Sequence, residues 1–235
     1  RKFGSHSDII YYLILQARDL GLTPYGLSFH VGSQQRDIGQ WDDAIARCKY
    51  LFDAVAEDGI ELQMINLGGG FPASYVDPTY SLQEYADEIM RFITEDFGEN
   101  IPQIILEPGR SLVADAGLIV SEVVNISRKS KNNMYQWVFL DIGKFGGLIE
   151  TIDESIKFPI YFEREGLADE IILAGPTCDS MDILYENVKY HMPDTTVPGD
   201  KVYIFTTGAY TRSYSSICFN GFPPLNAVIF SEGEV

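Results

Sequence analysis

At 235 residues, 46% hydrophobic and 22% charged, the chain has the composition of a folded globular protein, with room for one large domain or two of ordinary size. A formal net charge of −17 argues against a phosphate-backbone partner, so no nucleic acid is expected, and it suits a cationic small molecule. No run reaches the ~18 apolar residues of a membrane helix, no signal-peptide core is present, and Cys48, Cys178 and Cys218 lack metal-ligand spacing, so a metal-free protein of the reducing cytoplasm, away from any membrane, is expected.

Residues 8–20 carry Ile9, Ile10, Leu13, Ile14, Ala17 and Leu20 at helical spacing, and Gly21 supplies a stop. A short strand, Gly26-Leu27-Ser28-Phe29, ends at His30 ahead of the turn Gly32-Ser33-Gln34. Residues 44–56 follow a helical period that Gly59 ends, and a strand over residues 62–67 runs into Gly68-Gly69-Gly70. A helix is predicted over residues 82–97, and a third strand carries Ile104, Ile105 and Leu106 to Glu107. Strands separated by helices predict a parallel sheet with right-handed crossovers. From Gly117 the texture changes: residues 118–126, 135–140, 170–174, 201–205, 216–219 and 227–230 are short β-type runs broken by Gly, Pro and Asn. The predicted organisation is an α/β part over residues 1–116 and a mainly β domain over residues 117–235.

The chemistry gathers at the strand ends. Glu107 and Arg110 stand three residues apart where a parallel strand stops, which suits a bipolar ligand, although a surface ion pair would leave the same pattern. Three glycines after a strand suit a loop whose N–H groups approach an anion, or else a tight turn. Neither a P-loop lysine nor a G-x-G-x-x-G run is present, so nucleoside triphosphates and dinucleotides find no support. His30 is a core residue or a stacking platform, and Ser33 adds a hydroxyl beside it. Imidazole, glycine loop, hydroxyl, acid and guanidinium together match pyridoxal 5′-phosphate, whose ring, phosphate and pyridine nitrogen want those partners. In the β-rich part, Cys178 lies between a Pro turn and two acids, where a thiol serves as a proton donor unless it is buried and inert. Cys48 and Cys218 are assigned to packing.

Six segments, His30-Val-Gly-Ser33-Gln34, Gly68-Gly69-Gly70-Phe-Pro72, Glu107-Pro-Gly109-Arg110, Cys178-Asp179-Ser180-Met-Asp182, Gly208-Ala-Tyr210-Thr211 and Phe219-Asn220-Gly-Phe222, occur in one order. In that order the chain resembles the fold-type III pyridoxal-phosphate amino-acid decarboxylases. The resemblance implies a TIM-like (β/α)₈ barrel followed by a β domain, in a head-to-tail homodimer with shared active sites. It implies that His30 stacks on the cofactor ring and that Ser33, Gly70, Arg110 and Tyr210 hold the phosphate, with Gly68, Gly69 and Gly109 in the same loops. Glu107 would pair with the pyridine nitrogen, Cys178 would return a proton to Cα, and Asp179 would hold a distal amine, the last two in the partner's site.

Within that family the chain leans toward an ornithine decarboxylase making putrescine for polyamine biosynthesis. The diaminopimelate enzymes usually carry Cys-Glu-Ser where this chain has Cys178-Asp179-Ser180, and an Arg-Pro segment where it has acids at Asp153 and Glu154. Either acid suits a distal ammonium. Lysine, arginine and diaminopimelate decarboxylases, and a non-catalytic homologue with a binding or regulatory role, are the alternatives. The family's Schiff-base lysine lies upstream of a Lys-Phe-Gly segment that matches Lys2-Phe3-Gly4, and only about three of eight barrel strands are read here. The expectation is therefore the C-terminal part of a decarboxylase, inactive by itself.

Overall fold

Trp41, Ile45, Cys48, Leu51 and Val55 recur every three or four residues, so α2 (Gly39–Ala56) buries one continuous apolar face. Along α3 (Leu82–Phe97), Tyr85, Ile89, Phe92, Ile93 and Phe97 do the same, and a capping box starts the helix: Glu84 N–H donates to Ser81 Oγ at 3.2 Å while Ser81 N–H donates to the Glu84 carboxylate at 2.7 Å. These faces meet over a small sheet, with Trp41 fully buried 5.1 Å from Phe71 and 5.7 Å from Tyr85, and Phe52 edge-on to Phe97 at 5.2 Å. The sheet is β1 (Gly26–Ser28), β2 (Met64–Asn66) and β3 (Gln103–Ile105), all parallel, with Leu27 opposite Ile65 and Ile65 opposite Ile104. α1 (Ser7–Asp19) precedes β1 and buries only Ile14 fully.

The computed structural model describes residues 2–132 and 135–231, and these fall into two compact units. The first runs through Ala73 and over Thr79–Leu112; the second takes Ser74–Pro78 and the chain from Val113 onward. The division thus falls earlier than residue 117. Ser74–Pro78, read from sequence with the first part, packs in the second unit: Val76 N–H donates to Lys157 O at 3.0 Å, and the Tyr75 and Phe158 rings meet at right angles, 5.4 Å apart.

The second unit is built on one six-stranded sheet. Its strands are β4 (Leu118–Ser127), β5 (Gln136–Leu140), β6 (Ile160–Phe162), β7 (Ala168–Ala174), β8 (Ile183–Pro193) and β9 (Lys201–Phe205), in spatial order β6-β9-β4-β5-β7-β8. All neighbours are antiparallel except β5 and β7, which run parallel. Two expected strands are absent from it. Residues 216–219 form no ladder: Cys218 has φ +55° and opens a helical turn, Phe219–Gly221, while Ile217 is 84% exposed. Residues 227–230 also pair with nothing among the described residues, and Ile229 is 91% exposed, which shows that β-propensity without a neighbouring strand does not make one. β6 and the eleven-residue β8 went unread, β8 because Glu186, Asn187 and Lys189 interrupt its apolar alternation.

Candidate functional site

In the first unit, parallel pairing sets Ser28 beside Asn66 and Asn66 beside Ile105, so the residues that follow the three strands arrive at one edge. Gly32 N–H donates to His30 Nδ1 at 2.9 Å, which makes Nδ1 the acceptor. Between His30 and the end of β3 lies Gly69, where a Cβ would sit 3.5 Å from His30 Nε2 and 2.7 Å from Glu107 O. Asn66 ties this edge together: its Nδ2 donates to Glu107 Oε1 at 2.8 Å and its Oδ1 accepts from Gly68 N–H at 2.9 Å. The sequence reading passed over Asn66, whose signal was an amide on the last position of an apolar strand.

Gly68 and Gly70 are required by close approach. Both have positive φ, +64° and +99°, and a Cβ would stand 2.1 Å from Phe29 O at the first and 2.3 Å from Gly32 O at the second. The turn reading of the glycines therefore holds in this structure, and the Gly69 and Gly70 N–H groups meet no acceptor among the described residues. Arg110 opens the short helix α4 (Arg110–Val113), is 4% exposed, and donates from Nη2 to Ser33 Oγ at 3.2 Å. Gly109 O accepts from Leu112 N–H at 3.1 Å, closing that turn. A buried guanidinium, a hydroxyl and two open N–H groups fit a phosphate, and a carboxylate steered by Asn66 with an imidazole at the same sheet edge fits a pyridine ring. No group of three or more His, Cys, Asp or Glu that could hold a metal occurs among the described residues.

In the second unit, the Cys178 thiol and its own N–H both donate to Asn220 Oδ1, at 3.1 and 3.0 Å. Asn220 has φ +51°, and the thiol is exposed, as an acid that works on a ligand must be. Cys48 is the opposite case, buried on α2 with its pKa pushed up to about 12 by desolvation, while Cys218 is exposed and so is not the packing residue expected from sequence. Asp179 is half-buried, with Oδ1 accepting from Met181 N–H at 2.8 Å. Tyr210 has φ +54°, is 38% exposed, and packs its ring 5.5 Å from Tyr214.

The Cys178 loop is held by Asp182. This carboxylate is 2% exposed and accepts from Lys144 N–H at 2.8 Å, Thr177 N–H at 3.1 Å and Thr177 Oγ1 at 2.7 Å. A Cβ at Gly143 or Gly175 would strike its oxygens, at 2.1 and 2.4 Å. Asp182→Ala strands those donors, and the expected loss of stability is roughly 2–4 kcal/mol. A urea midpoint unchanged from wild type would contradict this.

Asp153 and Glu154 are consecutive left-handed residues, each at φ +53°, with different surroundings. Glu154 accepts from the N–H groups of Glu186, Asn187 and Val188, each at 2.7 Å. Burial works to raise its pKa, but these backbone donors together with the Asn187 side chain outweigh it and hold the carboxyl below its ordinary range. Asp153 is exposed, and its carboxylate has no hydrogen-bond partner among the described residues.

Residues 1–114 match the family model described as pyridoxal-dependent decarboxylase, pyridoxal binding domain. The chain is 30% identical over 233 residues to a lysine/ornithine decarboxylase of Selenomonas ruminantium, covering 98% of this chain and 57% of that protein. It is 31% identical over 238 residues to antizyme inhibitor 2 of Xenopus laevis, covering 94% of this chain and 50% of that one. Among solved structures, lysine/ornithine decarboxylase complexed with cadaverine from Vibrio vulnificus superimposes with a TM-score of 0.87 at 29% identity, over 99% of this chain and 62% of the other. The chain spans about half the length of the curated relatives it matches.

Proposed function

The chain belongs to the pyridoxal-dependent decarboxylase family, and on that premise we propose that the intact protein decarboxylates a basic amino acid, with ornithine as substrate and putrescine as product, in polyamine synthesis. The observation that carries this reading is the single edge of the parallel sheet where His30, the Gly69 and Gly70 N–H groups, the Asn66-steered Glu107 and the Arg110–Ser33 pair converge. When bound there, pyridoxal phosphate supplies the electron sink for the pair left on Cα as CO₂ departs. Gly69, Gly70, Ser33 and Arg110 would anchor the phosphate. His30 would cover the ring face, and the Glu107 carboxylate would hold a proton on the ring nitrogen. Cys178, aimed through Asn220, delivers a proton to Cα.

The three parallel strands are, in this reading, part of an eight-stranded barrel, and Cys178 and Asp179 serve the site of a second copy in a homodimer. Three unpaired thiols suit a cytoplasmic setting. With the Glu154 carboxylate already committed to backbone donors, the distal ammonium falls to Asp153 together with Asp179. Asp153→Asn is expected to lower kcat/KM for ornithine roughly tenfold to thirtyfold, chiefly through KM, by removing one charge-assisted contact. An unchanged KM would remove Asp153 from the site, and wild-type preference for meso-diaminopimelate would overturn the substrate class. The likeness to antizyme inhibitor 2 supports a second reading, a non-catalytic homologue; wild-type protein that releases no CO₂ from any of these amino acids would favour it.

A further inference from the structure

The partners of Glu154 come from an irregularity in the β7–β8 ladder. Ile171 pairs with Tyr190 and Leu173 with Tyr185, so Ile172 alone stands opposite the stretch from Glu186 to Lys189. Such a bulge turns backbone N–H groups out of the ladder, and bulges re-aim side chains beside functional sites. Three of those N–H groups, from Glu186, Asn187 and Val188, point at one acceptor, the Glu154 carboxylate, with Oε1 taking the first two and Oε2 the third. Asn187 Nδ2 adds a longer contact to Oε1 at 3.4 Å.

The residues flanking the bulge grip the same segment. Tyr185 OH donates to Ile156 O at 2.7 Å and accepts from Phe158 N–H at 3.0 Å, while Tyr190 OH donates to Phe158 O at 2.7 Å. Since Ile171 and Leu173 face the same side of β7, their partners do too, and the two tyrosine rings lie 4.4 Å apart. The segment is therefore held at Glu154, Ile156 and Phe158 from one strand. Consecutive non-glycine residues at φ +53° occupy a sparsely populated conformation that persists only where the surroundings over-determine it. Glu154 is the attachment nearest to Asp153.

We propose that Glu154 is the positioning residue for substrate selectivity: docked on the β8 bulge, its carboxylate fixes the left-handed turn that presents Asp153 to the distal ammonium. The proposal rests on the reading of Asp153 given above and adds a residue that never touches substrate. A carboxylate at position 154 can satisfy three donors at once, while the neighbouring Asp153 is exposed and takes none of them.

The test uses the intact, cofactor-loaded protein and the variants Glu154→Ala and Glu154→Gln. Two quantities are read: amide hydrogen exchange at residues 186–188, and the kcat/KM ratio of ornithine to norvaline, which has the same chain length without the ammonium. In Glu154→Ala the three amides should exchange faster and the ratio should fall roughly tenfold or more through KM for ornithine, with the norvaline rate within about twofold of wild type. Glu154→Gln keeps the side-chain length and one acceptor oxygen, so it should fold even if the alanine variant fails to, and its values should fall between. Unchanged exchange would overturn the anchor. Faster exchange with an unchanged ratio, or equal losses on both substrates, would reduce Glu154 to a structural residue and overturn its role in selectivity. Wild-type protein that does not prefer ornithine to norvaline would instead overturn the ammonium reading of Asp153, a failure visible before any variant is made.

Discussion

Glu107→Gln should lower kcat of the intact protein by roughly 10²–10³-fold and leave the cofactor bound. Glutamine keeps the size of the side chain and an oxygen for Asn66 Nδ2, which donates to Glu107 Oε1 at 2.8 Å, so the geometry of the β3 end survives. Only the negative charge is lost. On the proposed role, that charge is what would keep a proton on the ring nitrogen, and its loss is what lowers kcat. The proposed phosphate ligands, Arg110, Ser33 and the glycine loop, are untouched, so cofactor content measured by released phosphate should match wild type. Turnover near the wild-type value would remove Glu107 from the proposed chemistry.

Cys178→Ala should lower diamine formation by about 10²–10³-fold and change what is made, because CO₂ still leaves while proton delivery to Cα is hampered. If Cys178 is the acid that protonates Cα, the products expected from its loss are an aldehyde and the amine form of the cofactor. Both should appear beside the diamine. The thiol is exposed and its acceptor among the described residues is Asn220 Oδ1, so its removal leaves little packing to lose and the melting temperature should stay close to wild type. If diamine remains the only product at an unchanged rate, the thiol is not the acid.

How much of this was legible in the sequence differs by element, for physical reasons. α3 over Leu82–Phe97 and β9 over Lys201–Phe205 coincide with their expected bounds, because a strong apolar period or a compact β-branched and aromatic run is a local signal. The strand-end motifs were legible for the same reason: Glu107 and Arg110 need only the end of an apolar run to stand out. What stayed hidden depended on partners far along the chain. The commitment of Glu154 is to N–H groups some 32–34 residues away, freed by a bulge that no spacing announces. The packing of Ser74–Pro78 against Lys157 and Phe158 is equally non-local. Conversely, the run at residues 227–230 reads as a strand by composition, and it is not one because no neighbour offers it a ladder. Two adjacent acids look alike in sequence; the difference on which the proposal of Asp153 rests, three backbone N–H donors on Glu154 and an exposed Asp153, is visible only in the geometry around each.

The most direct test of the central claim is a crystal structure of the intact protein with pyridoxal phosphate and putrescine. The account predicts the phosphate on the Gly69 and Gly70 N–H groups and Arg110, the Glu107 carboxylate against the ring nitrogen, and a diamine nitrogen at Asp153 with Glu154 still on the N–H groups of residues 186–188. A phosphate bound elsewhere, or a diamine held by Glu154 in place of Asp153, would contradict it.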